Sequence, residues 1–132
     1  MKSLPFLAVA VVSCCPAFAA RAQTPQSRNV AVVVGGDETV DACALGKVIG
    51  LDPAFVRAGP AASKAYRETD RRTNGQFVYV CAQKGKWYGV VYHPSGEAKD
   101  CGVASPIARR RPYVGLCKSG WIEQNVVEVV AD

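Results

Sequence analysis

The sequence predicts an all-β domain, and three observations carry that expectation. From Ala42 onward, short runs rich in valine and aromatic residues alternate with turn chemistry. No apolar pattern with a helical period extends far enough to build a helix. Cys43, Cys81, Cys101 and Cys117 all fall in this part of the chain, and an even number of cysteines in a small exported domain reads as a disulfide framework.

The chain has 132 residues and opens MKSLPFLAVAVVSCCPAFAARAQ. One lysine, a brief apolar core from Leu4 to Val12 and small residues around Ala20, Arg21 and Ala22 form a secretory signal, with cleavage expected after Ala22. The apolar run is too short for a membrane span, which takes about 20 residues. A second reading of the same segment takes Val11, Val12, Ser13 and Cys14 as a lipobox, which would make Cys14 a lipidated first residue. Soluble export to the periplasm or medium is the expectation carried forward. Removing residues 1–22 from the 132 leaves 110, one small domain. It also takes Lys2 and Arg21, so 14 basic residues face 11 acidic ones. That excess is too mild and too dispersed for a nucleic-acid partner.

Residues 23–41 form an N-terminal leader. Its start, QTPQSR, is polar; the apolar run Val30 to Val34 then ends at Gly35, Gly36 and Asp37, and reads either as an extra strand or as a segment packed across the body. Residues 42–132 are the domain proper. Its strand-like runs are ACALGKVIGL, FVRAGP, QFVYVCAQ, KWYGVVYH and NVVEVV. Only Lys84, Gly85 and Lys86 separate the third from the fourth, a hairpin-length link that predicts antiparallel pairing. In FVYVC, Phe77, Tyr79 and Cys81 face one way and Val78 and Val80 the other. Such a strand is covered on both faces or belongs to a small closed barrel.

The order of these pieces resembles the bacterial Src-homology-3-like (SH3b) domain. The matching positions are Val56, Arg57, Gly59, Pro60, Tyr66, Gly75, Val78, Val80, Gly85, Trp87, Tyr88, Val90, Gly120, Trp121 and Ile122, over about Cys43 to Val130. The resemblance implies a small five-stranded SH3-like barrel in which aromatics beside the first long loop line a groove for an extended peptide. Two departures stand out. Ala61 replaces the second glycine of the family's Arg-x-Gly-Pro-Gly turn, and residues 93–119 stretch what is normally a tight last hairpin. DCGVASPIARRRPYVGLC is therefore an insertion, and a loop of that length in a compact domain is either functional or tied down. Of the three possible cysteine pairings, Cys101 with Cys117 would close the insertion where it leaves the barrel, and Cys43 with Cys81 would join neighbouring early strands.

The candidate ligand residues are Tyr66, Tyr88, Tyr92, Arg109, Arg110, Arg111 and Tyr113. Guanidinium groups match carboxylate geometry, and the three arginines beside the Tyr88 and Tyr92 face would give an aromatic floor with a cationic rim. The competing view makes the arginines a solvated loop face and the aromatics core filling. Trp87 and Trp121 are expected to be mainly structural. No two cysteines have zinc-ligand spacing and His93 is the lone histidine, so no metal or other cofactor is expected. A Cys81–His93 nucleophile pair is set aside because disulfide formation would consume the thiol, and no catalytic residue is assigned. The sequence thus points to an exported, non-enzymatic binding module for a cell-wall peptide or an envelope protein. The alternative is a periplasmic inhibitor or immunity-type protein that blocks an enzyme with its stapled loop. No transmembrane segment is expected, and the oligomeric state is not legible.

Overall fold

A computed structural model describes residues 3–5, 8–14, 28–36 and 42–131. The expected cleavage site at Ala20 to Ala22 and the start of the leader lie outside the described residues, while Cys14 is exposed and forms no disulfide. Among the described residues no helix is long and apolar enough to cross a membrane.

The protein is all-β. Among the described residues nine strands run in chain order as β1 (Val33–Val34), β2 (Ala44–Val48), β3 (Ala54–Arg57), β4 (Glu68–Arg72), β5 (Phe77–Lys84), β6 (Trp87–Tyr92), β7 (Arg111–Pro112), β8 (Lys118–Glu123) and β9 (Val127–Ala131), with a 3-10 turn at Gln124–Val126 between the last two. Each of the five strand-like runs contains a strand. The expectation of a closed five-stranded barrel is corrected. Seven strands form one antiparallel sheet in the order β4-β3-β8-β6-β5-β2-β9, open at both ends, and β1 pairs separately with β7.

The sheet nevertheless coils around a core, because its two ends share one apolar cluster. Val56 and Ala54 of β3 pack with Val48 of β2 and Val127 of β9, around Val78, Val90, Tyr92 and Ile122. Irregular register between Leu45 and Gly46, between Val56 and Arg57 and between Val80 and Ala82 helps to bend the strands. Alternation then sends the intervening residues outward, so Tyr79, Val91 and Trp121 form a second cluster with Val32, Val34, Cys101 and Val103. The apolar outer face of FVYVC is thus covered by the N-terminal strap 30–34 and the insertion.

Both covering segments are tied down. Disulfides join Cys43 to Cys81 and Cys101 to Cys117, the expected pairing. Val30 donates its N–H to Ala58 O at 2.7 Å, Tyr113 donates to Val32 O at 2.8 Å, and the Trp121 indole donates to Val30 O at 2.8 Å. Gly35 and Gly36 take φ of 78° and 85°. A side chain on Gly36 would meet Arg110 Cβ, so the paired glycines let the insertion lie directly on the strap.

Candidate functional site

The aromatic floor expected beneath the arginines is not assembled. Tyr92 is 1% exposed inside the inner cluster. Its hydroxyl donates to Asp70 Oδ2 at 2.8 Å and the Arg72 guanidinium lies 4.8 Å over its ring. Burial, then the Asp70 hydrogen bond and charge, push the phenol well above its ordinary range. Burial works to raise Asp70 as well, but the Tyr92 hydroxyl, the Arg71 N–H and the Arg72 and Lys118 cations together hold its carboxyl below the usual value. This cluster pins β4 to β6. Tyr113 is likewise structural: its hydroxyl donates to Cys101 O at 2.9 Å and accepts from Cys117 N–H at 3.3 Å, bracing the stapled turn.

Arg109, Arg110 and Arg111 are all exposed, on the outer side of the sheet. Arg111 stands opposite Val34 in the β1–β7 pair. Arg110 borders a depression of about 250 Å³ beside Lys84 and Trp121. Tyr88 packs against the inner cluster and borders a larger depression of about 600 Å³. The two depressions share Gly35, Cys81, Ala82 and Gln83, so Tyr88 and Arg110 sit at the borders of adjoining spaces rather than at one site.

Tyr66 belongs to a different surface. The β3–β4 loop folds back so that its ring lies against the backbone of Gly59, where any β-carbon would collide with it. Ala61 holds this turn without a left-handed backbone, since no described non-glycine residue has positive φ, and its N–H donates to Gly59 O at 2.9 Å. Arg57 Nη1 donates to Tyr66 O at 3.3 Å and fixes the loop to the sheet.

Three depressions run on from Tyr66. The first, about 310 Å³, lies among Arg57, Lys64, Tyr66 and Arg67. The next, about 230 Å³, shares Arg57 and Ala62 with it and adds Pro53, Phe55, Trp87 and Glu123. The last, about 310 Å³, shares Trp87 and Glu123 and ends at Lys86, Gln124 and Asn125 of the hairpin and the 3-10 turn. Phe55 is 43% exposed here and stacks under the Arg71 guanidinium at 5.0 Å. Trp87, expected to be mainly structural, is half-buried against the outer cluster and also lines the groove.

The groove is therefore aromatic along its length and edged by Arg57, Lys64, Arg67 and Lys86 against Glu68 and Glu123. Such a surface suits an extended chain with apolar side groups and carboxylates. Sequence reasoning found Tyr66 but missed Phe55, Arg57 and Glu123 as site residues. The available signal was Phe55, whose place between the buried Ala54 and Val56 turns it outward. Among the described residues no group of three His, Cys, Asp or Glu side chains gathers as a metal site. Comparison of the chain with known protein families, with curated proteins and with solved structures returns no match.

Proposed function

We propose that the protein is an exported, non-enzymatic binding module that grips an extended peptide of the cell wall, or of an envelope protein, in the groove from Tyr66 to Asn125. The observation that carries this reading is the continuity of three depressions through Arg57, Ala62, Trp87 and Glu123, with Phe55 and Trp87 partly bare along it. Bare aromatic surface beside convergent cations is what a peptide site requires, since aromatics bring contact area and cations bring register. The resemblance of VRAGP, GKWYGV and GWI to the Src-homology-3-like pattern supports the same reading, because the groove lies beside the first long loop. The two disulfides fit an oxidising compartment.

The inhibitor reading draws on a different observation. Val114 and Leu116, at the stapled turn, are 84% and 102% exposed and held rigid by Tyr113 and the Cys101–Cys117 bond. Most of the insertion's apolar residues, however, face the sheet, which leaves the turn as its sole apolar projection.

Co-sedimentation with purified peptidoglycan, set beside affinity capture from envelope extracts, separates the two. Sedimentation that weakens in a Phe55→Ala, Arg67→Ala protein supports the groove. Capture of a single protein, abolished by Leu116→Asp and indifferent to the groove substitutions, replaces this reading with the inhibitor one. Mass spectrometry of the exported protein is expected to show Gln23 as its first residue; a diacylglyceryl group on Cys14 would put the module on a lipid tether instead.

A further inference from the structure

We propose that the groove from Tyr66 to Asn125 is directional, taking a short peptide with a free carboxylate at its Tyr66 end and a primary ammonium at Trp87 and Glu123. This rests on the peptide-groove reading and adds to it the end chemistry of the ligand. The charges that border the groove are sorted by sign. Arg57, Lys64 and Arg67 stand with Tyr66 around the first depression, where among the described residues Glu68 is the one carboxylate. That carboxylate is already engaged, since Arg71 Nε donates to Glu68 Oε1 at 2.7 Å. The three cations form no ion pair among the described residues, so this end is equipped to receive an anion.

Further along, the sign changes. Trp87 at the start of β6 and Glu123 at the end of β8 are register partners, which places their side chains side by side on one face of the sheet. Both line the second and the third depression. Glu123 is exposed and in no ion pair among the described residues. An indole beside a carboxylate is a seat for an ammonium, which the ring attracts and the carboxylate neutralises. Phe55 is not a second such seat, because the Arg71 guanidinium already lies over its ring at 5.0 Å; no described cation lies over Trp87.

Both ends stand on fixed backbone. Arg57 Nη1 donates to Tyr66 O at 3.3 Å at one end, and Gln124 N–H donates to Lys86 O at 2.9 Å at the other. Between them the second depression offers Pro53 and Phe55 to apolar side groups. Lys86 borders the third depression but not the second, and from there it competes with the ligand for Glu123.

The probes are tri-, penta- and heptapeptides of alternating glycine and valine, each with free ends, N-acetylated, C-amidated or blocked at both ends. They are titrated into the exported protein by calorimetry, with amide shifts followed by NMR. The tightest free peptide is expected to lose about five-fold in affinity on acetylation and about five-fold on amidation, the scale of a half-exposed charge contact. Glu123→Gln is expected to cost the free peptide about five-fold and the acetylated one nothing; Lys64→Ala with Arg67→Ala should cost the free peptide about five-fold and the amidated one nothing. All these side chains are exposed, so the variants should keep the parent's amide spectrum. Lys86→Ala is expected to tighten binding of the free peptide by removing the competitor. Weaker binding to Lys86→Ala would put an anion at that end and overturn the proposal. Equal affinity of the free and doubly blocked peptides, or a Glu123→Gln loss shared in full by the acetylated peptide, would overturn it too. Shifts at Phe55 and Trp87 with the blocked peptide would then leave the groove standing without its direction, whereas no shift there with any peptide would remove both.

Discussion

The indole Nε1 of Trp121 donates to the carbonyl of Val30 at 2.8 Å, across 91 residues of chain. The bond ties the N-terminal strap to a strand in the middle of the sheet, and the same indole packs with Val32, Val34 and Val103. Trp121→Phe keeps most of the buried area but leaves Val30 O unpaired, and is expected to destabilise the fold by about 1–3 kcal/mol. Truncation to residue 35 is expected to cost more, since it bares the outer cluster as well. Urea denaturation of the two variants beside the parent checks both magnitude and order.

The insertion's staple acts on a part of the fold that already has its own packing. Replacing Cys101 and Cys117 together with serine removes a cross-link spanning 16 residues, which the chain-entropy model values at about 3 kcal/mol. Tyr113 still bonds Cys101 O and still packs in the outer cluster. The expected result is a folded but less stable protein whose loss is confined first to the insertion. Hydrogen exchange should show Val103 and Tyr113 amides opening early while Val90 and Ile122 stay protected. Uniform loss of protection across the sheet would contradict this.

Asp70 gives the stability a defined acid limb. Its carboxyl titrates below the usual value of 3.8 in the folded state, through Tyr92, Arg71, Arg72 and Lys118 outweighing burial. A depressed carboxylate contributes stability that is fully present above its unfolded pKa and is lost as pH falls through the lower folded pKa. Denaturation measured from pH 6 down to pH 2 should therefore fall away below about pH 4. Asp70→Asn keeps an acceptor for Tyr92 but not the charge beside the nearly buried Arg72, so it should be less stable at pH 7 and show a shallower acid limb. Equal slopes for the two proteins would remove Asp70 from this role.

Much of the inner fold was legible because apolar alternation and strand packing agree. Val78 and Val80 turned inward, Tyr79 and Cys81 outward, as FVYVC requires. β4 was not legible. ETDRR is charged and lacks β-branched bulk apart from Thr69, and it is a strand because β3 offers it an edge and Tyr92 offers Asp70 a partner. The open sheet was hidden for a related reason: closure depends on which edges hydrogen-bond, and composition does not record that. At the candidate site, Tyr92 was misread as a surface residue because alternation separates faces without saying which is wet. Here both faces are covered. Tyr66 was readable through the Src-homology-3-like pattern that also holds Gly59 and Pro60, whereas Phe55 and Trp87 share a surface only because β3 and β6 both pair with β8.

The three arginines divide by position, although sequence presents them as one run. All are exposed and in no ion pair among the described residues, and exposed charges contribute about 0–1 kcal/mol to stability. Arg109→Ala, Arg110→Ala and Arg111→Ala made together should leave the melting temperature nearly unchanged, because alanine retains the Cβ that rests on Gly36. Any binding that depends on the run should weaken most at low salt, where screening is least. Single substitutions read by co-sedimentation with purified peptidoglycan should trace that loss chiefly to Arg110, which borders a depression next to Lys84 and Trp121.

Gly36 and Gly75 offer a controlled test of how the strap meets the insertion. Their φ angles are 85° and 87°, so alanine at either position incurs the same left-handed backbone penalty of about 1–2 kcal/mol. Their surroundings differ. A Cβ on Gly75 would find nothing within 4 Å, whereas one on Gly36 would strike Arg110 Cβ and crowd its backbone. Gly36→Ala must therefore push the insertion off the strap or distort the Gly36 N–H to Ile107 O bond of 3.2 Å, adding an overpacking cost of about 1–3 kcal/mol. The expected outcome is a greater loss of stability for Gly36→Ala than for Gly75→Ala in chemical denaturation. Increased exchange at the amides of Gly36 and Tyr113 should accompany it, since Tyr113 bonds the strap at Val32. Equal losses in the two variants would mean that the strap and the insertion are not in the close register described here.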